Sequence, residues 1–179
     1  MNVQKNYLFT GDSITEWFDT KGLLSEFKIK NRGVAGDSSV ELLARIDPEW
    51  FDPAPDYIFL CIGTNDLARK RSPEQILGII ENICEKFLEH SPTSTIVLTS
   101  IFPVRNNPDR LMQDIKKCNK LIKGVTRIGG YFYFNLFPHF NDGAGMLKEE
   151  FTEDGLHLSA AAYHKWSELF REFIKEIEA

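Results

Sequence analysis

The chain has few of the residues that mark disulfide-rich, metal-binding or membrane proteins. It contains only 3 cysteines among 179 residues, an odd number with neither a C-x-x-C motif nor the spacing of metal ligands. Nowhere do about 18 apolar residues follow one another, so a membrane-spanning helix is not expected. The apolar run at the N-terminus is too short for a secretory signal peptide. We therefore expect a cytoplasmic protein in which Cys61, Cys84 and Cys118 remain reduced.

Positive charge is also scarce. Lys and Arg total 21 against 26 Asp and Glu, which gives a net charge of -5, and no block of basic residues occurs. These features argue against nucleic acid as a partner. Hydrophobic residues make up 42% of the chain and include 14 Phe, a composition that is not typical of disorder. We expect one domain, residues 1–179, that buries about 70% of the surface of the unfolded chain.

Short strand-like runs alternate with helical patterns along the whole chain. Residues 57–62 and 95–101 are apolar almost without interruption, which is typical of strands buried on both faces. Ser72, Pro73 and Gln75 provide an N-cap, a first-turn proline and a capping box for a helix with one apolar face. This alternation predicts an α/β fold with an open parallel sheet covered by helices on both faces. The other predicted strands are residues 7–9, 29–31 and 131–134, and further helices are expected after Ser13, after Ser38, after Pro108 and from Ser159.

Polar residues that directly follow predicted strands are candidate functional residues, because the carboxyl ends of parallel strands meet at one edge of the sheet. Ser13 lies between the first strand and a predicted helix, where its N–H is at a helix N-terminus that favours a developing oxyanion. By itself, the same serine is explained more simply as the N-cap of that helix. Residues 136–158 form the one long segment without periodicity, and such a length is typical of an active-site loop.

Two further strands lead into candidate oxyanion donors. Gly33 and Gly36 follow the second strand, and either could present a backbone N–H to a ligand because glycine has no Cβ to obstruct approach. A loop followed by the N-cap Ser38 explains the same residues equally well. Asn65 follows the third strand and brings an amide donor to the same edge, although Asx residues in that position commonly form turns.

Asp154 and His157 are three residues apart within the long segment. That spacing allows the carboxylate to hold one ring nitrogen while the other is free to act as a base. A metal site is the alternative, but no further His or Cys stands nearby at ligand spacing. The other three histidines have simpler explanations. His90 ends a predicted helix, where a positive charge offsets the helix dipole. His164 lies next to the buried face of the last helix, and His139 lies in the long segment without a carboxylate nearby.

The four clusters occur in an order that resembles the GDSL-like or SGNH hydrolase superfamily. The matching stretches are GDSIT at 11–15, NRGVAGD at 31–37, GTND at 63–66 and DGLH at 154–157. Ile14 stands where the family name has leucine, a position that carries no catalytic group. The segment from residue 136 to Tyr163 is similar to the branch of lysophospholipase-L1-type esterases, sialate O-acetylesterase-like proteins and platelet-activating-factor acetylhydrolase-like proteins.

This resemblance implies a fold and a set of roles. The fold is a flavodoxin-like three-layer α/β/α sandwich with a five-stranded parallel sheet of order 2-1-3-4-5. Ser13 would be the nucleophile, His157 the base and Asp154 the residue that orients it. The Ser13 N–H, the Gly36 N–H and the Asn65 amide would form the oxyanion hole. The implied chemistry requires neither a metal nor a cofactor.

The expected function is that of a serine esterase acting on a small-molecule ester through an acyl-enzyme, with an acetyl ester of a carbohydrate or similar alcohol as substrate. A short acyl group is favoured because the sheet and its helices leave little chain to build a lid. Trp17, Phe18, Phe102 and Met146 could line a small pocket, although core packing is the commoner role of aromatic residues.

Two alternatives follow from the same residues. A lysophospholipase or thioesterase would use the same catalytic groups on a longer acyl chain. A flavodoxin-like binding module would have no activity, but Asp12 and Glu16 would repel a phosphate group in its first loop.

Overall fold

A β-sheet of five parallel strands lies at the centre of the protein, as seen in a computed structural model that describes residues 4–179. Its strands are β1 (Asn6–Gly11), β2 (Lys28–Gly33), β3 (Tyr57–Cys61), β4 (Thr95–Thr99) and β5 (Phe132–Phe134). They are arranged in the order β2-β1-β3-β4-β5, and every neighbouring pair is parallel. The five strands and the sheet order expected from the sequence are confirmed.

Within residues 4–179, eight α-helices accompany the sheet, and all five predicted helices are present among them. The other three have only one turn each, so they are too short to produce a 3.6-residue periodicity. One of these short helices and a 3₁₀ turn lie within residues 136–158, so that segment is more ordered than the sequence predicts. The helices are α1 (Ser13–Glu16), α2 (Thr20–Leu23), α3 (Ser39–Arg45), α4 (Thr64–Ala68), α5 (Pro73–His90), α6 (Met112–Gly129), α7 (Phe137–Phe140) and α8 (Ala160–Ile177), with 3₁₀ segments at Pro48–Phe51 and Glu149–Phe151.

The start of α5 follows directly from its sequence. Ser72 Oγ accepts a hydrogen bond from the Gln75 N–H at 3.3 Å, and Gln75 Oε1 accepts one from the Ser72 N–H at 2.9 Å. This capping box satisfies two backbone donors that would otherwise lack a partner, and Pro73 fits the first turn because it has no N–H to satisfy. The predicted helix is therefore confirmed at its first residue.

Strand residues alternate between two hydrophobic cores, one on each face of the sheet. Tyr7 and Phe9 of β1 pack with α8, whereas Leu8 between them packs with α3, α5 and α6. Phe170 of α8 is fully buried in the first core, and Phe87 of α5 is fully buried in the second. Because both faces are covered, the sheet is the middle layer of an α/β/α sandwich.

The fourth strand ends earlier than its apolar run predicts, for a reason that lies elsewhere in the chain. Ser100 Oγ accepts hydrogen bonds from the N–H groups of Leu136 and Phe137, both at 2.9 Å. The Ile101 N–H donates to Asn119 Oδ1 at 2.8 Å. Side chains and a neighbouring loop thus replace the sheet ladder beyond β4.

Two further observations concern the disulfide-rich and membrane-spanning proteins that the composition argues against. Cys61, Cys84 and Cys118 are all buried and unpaired. A membrane-crossing helix needs about 20 mostly apolar residues, and none of the helices found in residues 4–179 meets that requirement.

Candidate active site

Ser13 is the first residue of α1, directly after the carboxyl end of β1. Asp12 is the N-cap of that helix, and its side chain accepts a hydrogen bond from the Ile14 N–H at 3.0 Å. The interpretation of Ser13 as the N-cap is therefore wrong, because the preceding aspartate occupies that position. Gly11 is required before them, since a Cβ there would lie 2.3 Å from the Cys61 carbonyl oxygen of the neighbouring strand.

His157 lies between Ser13 and Asp154 and contacts both. Its Nε2 is 3.1 Å from Ser13 Oγ, and its Nδ1 is 2.6 Å from Asp154 Oδ2. The serine and the histidine are 144 residues apart in the chain, so the fold alone brings them together. The three side chains form a hydrogen-bonded series of the kind that activates a serine hydroxyl.

A tight turn fixes the orientation of Asp154. Its Oδ1 accepts hydrogen bonds from the N–H groups of Leu156 at 2.9 Å and His157 at 2.7 Å, which leaves Oδ2 to face the imidazole. Gly155 makes the turn possible because its φ is +81° and a Cβ would lie 2.1 Å from the Arg105 carbonyl oxygen. The spacing of three residues therefore works through backbone geometry that only glycine accepts.

The surroundings of Asp154 keep it ionised. Partial burial alone would raise its pKa, but the hydrogen bonds from the His157 ring, the His157 N–H and the Leu156 N–H outweigh burial and lower the pKa to about 2. A carboxylate with so low a pKa carries its charge throughout the neutral and mildly acidic range. It is thus able to hold the ring nitrogen Nδ1 in its protonated form.

The structure distinguishes the two glycines that the residues alone left open. The Gly33 N–H donates to Asn31 Oδ1 at 2.9 Å, so this donor is already used. Gly36 is exposed with a φ of +84°, and its N–H has no acceptor among residues 4–179. Gly36 is therefore the one with a donor available to a ligand.

Asn65 is held in place from both ends of its amide. Its Nδ2 donates to the Asp37 carbonyl oxygen at 2.9 Å, and its Oδ1 accepts from Arg110 Nη2 at 3.0 Å. Arg110 also donates through Nε to the Thr64 carbonyl oxygen at 3.0 Å. This arrangement fixes which end of the amide is the donor and ties it to the loop that carries Gly36.

Arg110 is a residue that the sequence analysis missed. It lies in the loop before α6, 45 residues from Asn65, and no local pattern distinguishes it from other surface arginines. Burial lowers its pKa, while Asp109, Asp12 and Asp154 oppose that change. A half-buried cation thus lies among the carboxylates that surround the serine.

Two other arginines hold the loop of residues 34–38. Arg45 forms an ion pair with Asp37 and donates through Nη2 to the carbonyl oxygens of Arg32 at 2.8 Å and Gly11 at 3.2 Å. Arg69 donates through Nη2 to the Gly36 carbonyl oxygen at 3.0 Å. The two arginines thus hold the loop in place through the Asp37 side chain and the Gly36 carbonyl group.

The aromatic residues considered for a pocket fall into two groups. Phe18 and Phe102 are only 2% exposed and belong to the first core. Trp17 is 50% exposed, and its ring centroid is 4.4 Å from that of His157. Core packing is therefore confirmed for the two phenylalanines and wrong for the tryptophan.

The metal interpretation of Asp154 and His157 finds no further ligand. Among residues 4–179, no three His, Cys, Asp or Glu side chains converge as metal ligands would. The nearest partner of the imidazole on its other side is the Ser13 hydroxyl. His90 lies at the end of α5, where it stacks on Phe51 at a centroid distance of 5.2 Å.

Asp12 is the most perturbed carboxyl group at the site. Complete burial raises its pKa to about 7, although the Ile14 N–H and the charge of Arg110 act in the opposite direction. The pKa of an Asp in an unfolded chain is about 3.9. Between these values the folded protein holds a proton that the unfolded chain releases, so stability declines as the pH rises through this window.

Asp12→Asn is therefore expected to raise the Tm by about 10 °C more at pH 8 than at pH 4, because the amide keeps the cap to Ile14 without a buried charge. Thermal unfolding of both proteins across this pH range measures the difference. Asp52→Asn is the matched control, because Asp52 is exposed. A difference between variant and wild type that does not change with pH would contradict the role given to Asp12.

Fold and site together define a class of protein, the hydrolases of acyl esters built on an α/β/α sandwich. The model of the GDSL-like Lipase/Acylhydrolase family matches residues 9–165. Because this match covers most of the chain, the protein belongs to that family. The resemblance drawn from the four sequence stretches is confirmed.

Three similar proteins extend this result. Platelet-activating factor acetylhydrolase IB subunit alpha2 of Rattus norvegicus is 26% identical over 180 residues, which cover 97% of this chain and 78% of the relative. A Streptococcus pneumonia protein, provisionally described as a platelet activating factor, has a TM-score of 0.84 and 32% identity over 96% of this chain and 85% of its own. An acetylxylan esterase of Geobacillus stearothermophilus, solved as a catalytic mutant, has a TM-score of 0.75 at 18% identity, covering 95% of this chain and 94% of its own, and is similar in fold.

Proposed function

We propose that this acylhydrolase is a serine esterase that removes short acyl groups, with acetyl preferred, through a covalent acyl-enzyme. The observation that carries the proposal is the hydrogen-bonded series of Ser13, His157 and Asp154, with distances of 3.1 Å and 2.6 Å between successive side chains. A flavodoxin-like binding module without activity would not need these three side chains in contact. Membership of an acylhydrolase family also argues against that alternative.

The proposed reaction has two halves. Ser13 Oγ attacks the ester carbonyl carbon while His157 Nε2 accepts the hydroxyl proton, and the imidazolium then donates that proton to the alcohol oxygen as the C–O bond breaks. Water next attacks the acyl-serine, with His157 accepting and returning a proton in the same way. The products are one alcohol, one carboxylic acid and the free enzyme. Asp154 stabilises the imidazolium in both halves because it remains ionised.

The tetrahedral intermediates need hydrogen-bond donors for their oxyanion. Three candidate donors follow the carboxyl ends of β1, β2 and β3, and they support this role: the Ser13 N–H at the first position of α1, the Gly36 N–H and the Asn65 amide. N–H groups in the first turn of a helix have no partner within the helix, which leaves the Ser13 N–H available. Arg110 bound to Asn65 Oδ1 polarises the amide and makes its N–H groups better donors.

Asn65→Ala is expected to lower kcat by about 10² to 10³ with a smaller effect on KM, because the amide acts mainly on the charged intermediate. Steady-state kinetics on p-nitrophenyl acetate measure both constants. Asn82→Ala, a change at an exposed position of α5, serves as the matched control. A rise in KM alone would assign Asn65 to substrate binding instead.

The preference for a short acyl group is supported by the packing of residues 136–158. Phe140 and Leu147 of this segment are fully buried in the first core, so the segment packs against the sheet layer and does not extend as a lid. A long acyl chain gains about 0.8 kcal/mol for each CH₂ only where apolar walls receive it. The names of the curated relatives also point to acetyl as the group removed.

The test of the proposal is kcat/KM on p-nitrophenyl acetate, butyrate, octanoate and palmitate. We expect the maximum at acetate and a steady decline with chain length, because residues 136–158 pack into the core and do not form a lid with apolar walls for a longer chain. A maximum at octanoate or beyond would support the lysophospholipase or thioesterase alternative. Absence of hydrolysis with all four esters would refute the proposed function.

A further inference from the structure

The exposed Trp17 beside the catalytic histidine has no structural role that accounts for its exposure. Half of its side chain is exposed, whereas the other two tryptophans, Trp50 and Trp166, are 6% and 3% exposed. Its ring centroid is 4.4 Å from that of His157, with an angle of 38° between the planes. A half-exposed indole next to reacting groups offers a ligand an apolar face together with a polar N–H.

Trp17 separates two grooves at the edge of the site. One groove is lined by His157, Glu153 and Ser159 among others and has a volume of about 370 Å³. The other is lined by Glu16, Asp19 and Asn31 among others and has a volume of about 390 Å³. The indole is thus an apolar wall between two surfaces rich in hydrogen-bonding groups.

The chemistry of ester cleavage indicates which part of a substrate would meet this wall. His157 Nε2 must deliver a proton to the alcohol oxygen, so the alcohol part lies against the imidazole. The carbonyl oxygen points instead toward the donors of Gly36 and Asn65. A side chain that stacks on His157 therefore contacts the alcohol and not the acyl group.

Charge restricts the kind of alcohol. Glu16, Asp19 and Glu153 line the two grooves, and Lys21 is the basic residue among the lining residues of the second. Carboxylates repel a phosphate or carboxylate on the substrate, while they accept hydrogen bonds from hydroxyl groups. The grooves therefore suit an uncharged alcohol with several hydroxyls.

We propose that Trp17 is the platform of an alcohol subsite that binds a neutral pyranose ring of an O-acetylated sugar. The C–H groups of one sugar face pack on the indole, and the hydroxyls at the ring edge donate to the carboxylates on either side of it. Aromatic rings provide such a rigid apolar surface at a low cost in conformational entropy. This inference rests on the proposed esterase function, because the position of the alcohol follows from the role of His157.

The kinetic test compares two acetyl esters that differ in the alcohol, methyl acetate and the 6-O-monoacetate of methyl glucopyranoside, which keeps its other ring hydroxyls free to donate. Trp17→Ala is expected to lower kcat/KM for the sugar ester about tenfold more than for methyl acetate, whose alcohol is too small to stack. Trp17→Phe is expected to restore most of the difference. Ile128→Ala, which removes an exposed apolar side chain of α6, is the control and should change neither ester.

Two kinetic outcomes would overturn the proposal. Equal losses on both esters would mean that Trp17 acts only by positioning the His157 ring. A larger loss on acetylcholine than on the sugar ester would mean that the indole binds a cation, which aromatic faces also attract.

A binding measurement separates this proposal from the esterase proposal. In a Ser13→Ala background, which cannot form an acyl-enzyme, titration calorimetry with the same sugar monoacetate is expected to give saturable binding that Trp17→Ala weakens about tenfold. Absence of binding, or binding that Trp17→Ala does not weaken, would refute the subsite whatever the turnover. If the wild type cleaves neither ester, the proposed function fails, and the titration still decides whether Trp17 binds the sugar.

Discussion

Replacing Ser13 with alanine is expected to lower turnover of p-nitrophenyl acetate by more than about 10⁴-fold, since no other side chain described at the site is positioned as a nucleophile. Ser13 Oγ lies 3.1 Å from His157 Nε2, the distance from which the imidazole accepts the hydroxyl proton as the oxygen attacks. Without the hydroxyl, no acyl-enzyme forms and only the stabilising effect of the oxyanion donors remains.

The same variant should remain folded. Ser13 is buried, but its one side-chain partner is the partly exposed His157, so removal of the hydroxyl leaves no buried polar group that depends on it for solvation. Thermal unfolding should therefore change by no more than a surface substitution does. Ser25→Ala provides a matched control because Ser25 is exposed. Residual activity above a few per cent of wild type in Ser13→Ala would remove Ser13 as the nucleophile.

Much of the fold is predictable from the sequence because its signals are local. Residues 57–62 are buried on both sides, and continuous apolar character follows from that burial. The N-terminal boundary of α5 follows from Ser72 and Pro73, which act on the backbone of the same turn. Each of these features depends on residues within a few positions of one another. The strand order, by contrast, came from the family resemblance, since it depends on pairings between distant segments.

The parts of the site that escaped prediction depend on contacts between distant residues. Arg110 is important for the site only because the fold brings it to Asn65. The choice of Gly36 over Gly33 came from the family resemblance and not from the residues alone, because it depends on a hydrogen bond from the Gly33 N–H to the Asn31 side chain. The exposure of Trp17 likewise results from the packing of α1 against the rest of the chain. Propensity and spacing describe single segments, so they do not predict such contacts.

The cap of α1 illustrates the same limit at short range. Both Asp12 and Ser13 are residue types that favour the N-cap position, and their order in the sequence does not decide between them. The structure places Asp12 at the cap, where its Oδ1 accepts from the Ile14 N–H. Ser13 is then free to direct its hydroxyl at His157. Asp12 therefore caps α1, which is the role that the sequence analysis gave to Ser13.

Asp154→Asn is expected to lower kcat by up to about 10⁴-fold while the protein remains folded, as in the serine-protease triad that shows this behaviour. The physical reason lies in the two backbone N–H groups, of Leu156 and His157, that donate to Oδ1. They keep the oxygen of the new amide in that position, so its NH₂ group must face His157 Nδ1. The imidazole then becomes an acceptor at Nδ1 and carries its proton on Nε2, where it cannot accept the proton of Ser13.

The measurement is kcat on p-nitrophenyl acetate together with the ¹⁵N chemical shifts of the His157 ring, which report the tautomer directly. The expected result is a large fall in kcat accompanied by a change from Nδ1–H to Nε2–H, with KM changed much less because Asp154 does not touch the acyl group. Glu149→Gln is the matched control, since it neutralises an exposed carboxylate of the same segment. A fall in kcat of less than about tenfold, with the Nδ1–H tautomer retained, would show that a group other than Asp154 orients His157.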